Sequence, residues 1–529
     1  MSALKRRMTA TSLAVGLSVA AITGSAFVAP APAVAAGQTQ ADFNGDGFAD
    51  LAVGAPFEDV AAATDAGAVQ IFYGSATGVR TANAANLQQD SSGVADVAET
   101  GDRFGSAVAM GNFNGDSYDD LAVGVPYENV GAVADAGAVQ IFYGSASGLT
   151  TAQNQFLTQN TPGANDGAET GDHFGAALAA ANLVGSSQGD LAVGVPLENV
   201  GSVSDAGAVH ILRGSPTGLT TAADQVVSQN TAAVADSAER GDRFGSALAA
   251  ADLAGSSRPD LAVGVPFENV GSVADAGAVQ VLRGTTGSLT GTGDQILSQN
   301  TAGVLDGAET GDRFGFALVA ADIAGSGKAD LAVGVPYENV GRVADAGAVH
   351  VLRGSDTGVT ATADQFFNQN TAGVVDAAEA GDRFGFALAA ADLGGSVKAD
   401  LAVGIPYEDV GGTVDAGALQ VLPGSGPGVT ASGSQYVQQS SPGSVAAAET
   451  GDRFGYALTA ANLAGGSQRD VAVGVPFEDV LSTVDAGSVQ VLRGAGGGVT
   501  FTDDQVISQS GTGSAAETGD RFGAALDAS

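Results

Sequence analysis

Cysteine is absent from the 529 residues, so neither disulfides nor thiol chemistry contribute to stability or function. Basic residues are scarce, with 20 Lys and Arg against 58 Asp and Glu. Such a balance repels nucleic acid and anionic membrane surfaces and attracts metal cations and basic partners, besides keeping a large protein in solution. Proline (15) and aromatic residues (6%) are few, whereas glycine reaches 79, a composition suited to many short strands joined by tight turns. Only one apolar run is long, residues 13–28. It follows Lys5, Arg6 and Arg7 and leads to Ala33-Val34-Ala35, the layout of an export signal with cleavage expected after Ala35 or Ala36. The Arg6-Arg7 pair lacks the flanking residues of a twin-arginine signal, which favours ordinary secretion. No other stretch is long enough to span a bilayer, and the sequence ends without an apolar anchor tail. The expectation is a secreted, extracellular, soluble monomer whose net charge, after loss of three cations, is 17 − 58 = −41.

What the chain has instead is a repeat. Leu-Ala-Val-Gly begins at Leu51, Leu121, Leu191, Leu261, Leu331 and Leu401, and Val471-Ala-Val-Gly is the seventh copy. Gly-Asp-[Arg/His]-Phe-Gly keeps the same seventy-residue spacing from Gly101 to Gly451 and recurs at Gly519 after a two-residue deletion. Units that cannot bury an apolar face alone must stack on their neighbours, so residues 36–529 read as one modular domain behind a signal at 1–35. Within the second unit, strand-like alternation and β-branched content mark four segments, 104–110, 120–125, 137–143 and 155–159. Four antiparallel strands make a blade, and the class is all-β. Seven blades can close radially or extend as an open solenoid. The termini favour closure. Residues 522–526 match the inner-strand segment that the first unit lacks, so the N- and C-terminal strands can share one blade of a seven-bladed β-propeller.

Phe104-Gly105 near the start of a unit, and Gly54-Ala55-Pro56 after its second strand, resemble the signatures of the FG-GAP repeat. The other copies read Gly-Val-Pro or, at Gly404, Gly-Ile-Pro. The resemblance covers nearly all of residues 36–529 and extends to the N-terminal propeller of integrin α subunits. It implies a propeller fold, Ca2+ in the loops between the first two strands, and an upper rim that meets ligands. The chain shows no integrin-like stalk, transmembrane helix or tail, so signalling across a membrane is not implied.

The first of those loops has the spacing that calcium requires. Asp42, Asn44, Asp46 and Asp50 place oxygens at positions 1, 3, 5 and 9, Gly47 stands at position 6, and Phe48 offers a carbonyl at position 7. A metal-free Asx-turn is the alternative. The second loop, Asn112, Asn114, Asp116, the Tyr118 carbonyl and Asp120, exchanges one carboxylate for an amide and glycine for Ser117, and is expected to bind more weakly. The other five loops lose their middle ligands, for example to Ala254 and Ser256, Ala324 and Ser326, or Gly394 and Ser396, and read as turns held by their own hydrogen bonds.

The opposite rim carries Glu58, Glu128, Glu198, Glu268, Glu338, Glu408 and Glu478, together with the Asp of each Gly-Asp-Arg. Sevenfold recurrence points to bracing of neighbouring loops, with that Arg as partner, over a binding ring. Arg240-Gly241-Asp242 spells an adhesion tripeptide, but it occupies a column of Thr-Gly-Asp and reads as a coincidence. His173 stands in an Arg column and His210 and His350 in a Gln column, so all three are expected at the surface. No nucleophile, base and orienting acid form a unique set. The sequence therefore favours a binding or adhesion module for an extracellular protein or glycan. The alternative is an extracellular hydrolase or lyase with carboxylates at the channel.

Overall fold

The computed structural model describes residues 41–255, 258–509 and 515–528; the export signal expected at 1–35 and Ser256 lie outside them. Among the described residues every regular element is a strand, and seven four-stranded antiparallel sheets are present. Blade two is representative: Ala107–Gly111 innermost, then Asp120–Val125, Ala138–Tyr143 and Thr150–Leu157. The inner strands follow one another round a common axis, and Ala525–Asp527 packs between those of blades seven and two.

Blade one is closed as the sequence implies. Leu51–Ala55 pairs on one side with Ala68–Tyr73 and on the other with the C-terminal strand, in the register Ala52 to Asp527, Val53 to Leu526 and Gly54 to Ala525. Circular closure removes all but short outer edges, which is how a β architecture of this size avoids edge-to-edge association.

The outer strand departs from the sequence expectation. It runs Thr150–Leu157 instead of 155–159, because the ladder continues across a register shift between Ile141 and Tyr143 and pairs Tyr143 with Thr150. Residues 158 and 159 turn away, with the Thr158 N–H donating to Thr161 Oγ1 at 2.9 Å. In blade six Pro423 occupies the corresponding point on the third strand. It cannot donate to the ladder, so that strand stops at Leu422 and a separate two-stranded ribbon follows.

The two signature motifs meet between blades. A Cβ on Gly54 would lie 2.2 Å from the Gly105 carbonyl oxygen of the next blade, and one on Gly124 would lie 2.1 Å from that of Gly175. Only glycine lets the sheets approach this closely. Phe104 and its six equivalents, Phe174, Phe244, Phe314, Phe384, Phe454 and Phe522, are fully buried in the apolar layers that adjacent blades share. Each contributes roughly 2–3 kcal/mol of burial.

Candidate functional site

The strand order places the turns between first and second strands on one rim, here called lower, and the loops after the second strand on the other. In the first lower loop the carboxylate of Asp42 accepts from the Gly45, Asp46 and Gly47 amides at 2.6, 3.1 and 2.7 Å. Asn44 Oδ1 accepts from Asp46 N, and Asp46 Oδ1 from Phe48 N. Gly47 has φ 88°, the left-handed turn that position 6 demands. Asp42, Asn44 and Asp46 thus curl their oxygens around one short turn. This oxygen-rich donor set fits a hard cation such as Ca2+. Metal would compete here with the Asx-type hydrogen bonds that already order the loop.

The second loop is satisfied differently. The Asn114 amide donates to the Asp116 carboxylate at 2.8 Å, and the Asn112 amide to the Asp116 carbonyl at 2.7 Å. Neutral N–H donors thus take up oxygens that a cation would need. Tyr118 lies against Gly45 of the neighbouring loop, where an added Cβ would come within 2.9 Å of its ring. Asp119 bridges the same two loops, its carboxylate accepting from Asp42 N at 3.0 Å.

The position-nine aspartate has a role that the ligand pattern concealed. Asp50 is fully buried, and its two oxygens accept from Phe43 N and Gly74 N, both at 2.9 Å. Asp120, Asp260 and Asp400 make the equivalent bonds, and Asp190, Asp330 and Asp470 accept from the same third-strand amide and from the loop amide one residue further on, so the five loops that lost their middle ligands keep this fastening. The residue fastens the turn to the end of the third strand in every blade. Burial pushes the carboxyls of Asp50 and Asp120 up to about 7, against the pull of these amide donors.

On the upper rim the evenly spaced glutamates are braced, but not by arginine. Gln159 donates to Glu198 at 2.6 Å, and Gln89, Gln229, Gln299, Gln369, Gln439 and Gln509 do the same for Glu128, Glu268, Glu338, Glu408, Glu478 and Glu58. Each glutamine comes from the end of the preceding blade, so the bond ties neighbours together. Burial raises these glutamates, Glu198 to about 8 and Glu128 to about 9, and the Asp172 and Asp96 carboxylates respectively add to the effect.

The arginines stack on rings instead. Arg103 lies 4.8 Å from the Phe57 centroid and 4.3 Å from Tyr127, and Arg313, Arg383, Arg453 and Arg521 each sit between two rings in the same way. Guanidinium and aromatic faces thus alternate around the rim, since these arginines directly precede the inner strands. The ring is interrupted at blade three, where Leu197 replaces an aromatic residue and His173 replaces arginine. His173 stacks on Tyr127 at 4.3 Å, and its burial lowers it to about 4. The signal for this ring was in the sequence as a Phe, Tyr or Leu following each Gly-X-Pro on the same seventy-residue spacing.

His210 and His350 are not surface residues. Both are fully buried, with Nδ1 at 2.9 and 2.8 Å from Asp224 and Asp364. Sister blades pair Gln with Asn or Asp at these positions, as in Gln140 with Asn154 and Gln490 with Asp504. Tolerance of Gln reflected an interior hydrogen bond that His also makes, not exposure.

With the blades, the glycine contacts and the loops in place, the family comparison agrees with the fold. The FG-GAP repeat model matches residues 39–72, 104–142 and 314–352. The chain is an integrin-α-like FG-GAP repeat propeller. It is 34% identical to cattle phosphatidylinositol-glycan-specific phospholipase D over 159 residues, 30% of this chain and 18% of that enzyme. It is 34% identical to Drosophila melanogaster integrin alpha-PS2 over 176 residues, 32% of the chain and 12% of the relative, and 29% identical to Xenopus laevis integrin alpha-5 over 238 residues, 44% and 20%. This FG-GAP chain spans a fifth or less of the length of these curated relatives. No helix among its described residues is long and apolar enough to cross a membrane.

Proposed function

We propose that the chain is a secreted, calcium-stabilised propeller that binds an extracellular protein or glycan on its upper rim. The observation that carries this reading is the alternation of guanidinium and aromatic faces there. Half-buried rings whose faces carry guanidinium groups present aromatic edges and cationic N–H donors to solvent, which suit anionic side chains and sugar hydroxyl or carboxylate groups through charge-assisted hydrogen bonds. Calcium belongs to the first loop and more weakly to the second, where it would neutralise Asp42, Asp46 and Asp50 beside the strands from the two chain ends. The export-signal pattern supports secretion.

A second reading, an extracellular hydrolase, draws on the likeness to the phospholipase. The rim carboxylates recur in blade after blade and are engaged in bracing, which favours binding over catalysis. The test is a glycan and protein array, probed with and without chelator, followed by Tyr337→Ala and Tyr407→Ala. Each substitution should weaken the selected ligand about tenfold by removing the ring that holds two guanidinium groups in place. Ligand capture untouched by both variants would move the binding surface elsewhere.

A further inference from the structure

The blades repeat so closely that whatever sets one apart is informative. Blade two is set apart at a cavity of about 190 Å3 on the lower rim, where the inner strands Ala107–Gly111 and Ala177–Ala181 run into their loops. Three residues around it depart from the repeat. Met110 stands where the six other copies carry alanine, from Ala180 to Ala528. Gly111 stands where five copies carry alanine, from Ala181 to Ala461, and an added Cβ there would come within 3.1 Å of Ala180 across the cavity wall. Asp119 occupies a column of alanine, glycine, proline and arginine, running from Ala49 to Arg469, and no other copy has a carboxylate there.

The polar chemistry of the wall is one-sided. The amides of Asn112 and Asn182 donate to the Asp116 and Ser186 carbonyls at 2.7 and 2.6 Å, and the Ser187 hydroxyl donates to Gln188 at 3.0 Å. The Gln188 amide is turned onto Gly115, where an added Cβ would lie 2.9 Å from its nitrogen. Side-chain donors are thus spent within the loops, and acceptors are left for a guest. Asp119 is the one ionisable group in the wall, and among the described residues only one of its oxygens is engaged, accepting from Asp42 N at 3.0 Å. Met110, Ala41 and Ala180 add apolar surface. A guest that fits carries a positive charge, several N–H donors and a short hydrocarbon stem. The cavity has room for about six water molecules, or for an aminobutyl group in their place. A hard divalent ion wants several carboxylates, and this wall supplies one.

We infer that the cavity binds a primary alkylammonium group, with Asp119 as its counter-ion and Met110 beside its methylene stem. A free small amine and the tip of a lysine side chain on another protein present this same chemistry. The site lies on the rim opposite the stacked arginines, so it stands independently of the upper surface.

The probe is n-butylammonium chloride, titrated into the full chain at neutral pH with calcium present and about 0.15 M salt, which screens long-range attraction to the acidic surface. Ligand-observed NMR should show one saturable site with a Kd of about 1 mM, and butan-1-ol, which lacks the charge, should bind about tenfold more weakly. Asp119→Asn keeps an acceptor for Asp42 N and should weaken the amine about tenfold. Asp119→Ala installs the residue with which blades one, five and six fold, and should do the same while the circular dichroism stays unchanged. Asp322→Asn removes a charge from the same rim outside the cavity and should leave the affinity as it is. A capped peptide with a single lysine that binds as tightly as butylammonium assigns the site to protein lysines; a peptide that fails where the amine succeeds assigns it to free amines. Uptake that never saturates, equal binding of amine and alcohol, or Asp119 variants that bind like the parent would overturn the proposal.

Discussion

Aspartate serves two ends of this molecule in different ways, and the difference shows at single positions. Asp260 stands in a loop without middle ligands, yet it accepts from Leu253, Ala254 and Gly284 amides at 3.0, 2.8 and 3.0 Å. Asp260→Ala should therefore destabilise the fold by about 3 kcal/mol in chemical denaturation, with no change in calcium binding. His173 gives a pH signature. Its folded value, about 4, lies below the ordinary 6.5, so the unfolded chain takes up the proton first as pH falls. The stability it contributes is complete above about 6.5 and is lost as pH drops toward 4. His173→Arg, the residue of the other blades, should remove that loss. The melting-temperature difference between variant and parent should grow in the variant's favour across this window; a flat difference would contradict the assignment.

At the scale of elements, the blades are stitched by side chains that behave as surrogate strands. Gln155 both accepts from Leu219 N and donates to Leu219 O, each at 2.9 Å, so one glutamine satisfies both backbone groups of a residue in the next blade. Gln225, Gln295, Gln365 and Gln435 repeat the pair, and Gln505 makes it with Val79 across the seam. Gln505→Ala should cost about 2 kcal/mol, since Val79 is left with an unmet donor and acceptor. It should also raise the unfolding rate more than Gln225→Ala does, because the seam has no covalent link to fall back on. Stopped-flow unfolding of the two variants makes the comparison. The lower rim has a similar backbone ring: the position-eight N–H of one loop bonds to the position-one carbonyl of its neighbour, as from Asp119 to Asp42, Gly189 to Asn112 and Ala49 to Asn462. Pro259 holds that position in the fourth loop and has no N–H to give.

For the whole molecule, closure is the step on which the other arrangements rest. The C-terminal strand and the first lower loop are neighbours in blade one, so metal at Asp42, Asn44 and Asp46 would act on the join between chain ends. Asp46→Ala should lower the melting temperature measured in calcium by several degrees and abolish most of the further drop on chelation, with protease cleavage appearing near residues 41–50. A variant whose melting and proteolysis match the parent in both conditions would separate calcium from the seam.

Much of this was legible in the residues. The seventy-residue spacing dictated seven stacked units, and the two missing residues before Gly519 together with the incomplete first unit located the shared blade. Turn chemistry marked the lower loops. Less legible were the partners. Glu198 and Gln159, thirty-nine residues apart, and His210 and Asp224 recur in register, but recurrence alone does not distinguish an exposed column from a buried one. A linear pattern records which residue types repeat, because each blade solves the same packing problem. The fold alone decides which repeats face one another, because contacts between blades depend on how sheets are rotated about a common axis. That is why strand number and ring closure followed from the sequence, while the stacked arginines, the glutamine stitches and the buried position-nine aspartates emerged only in three dimensions.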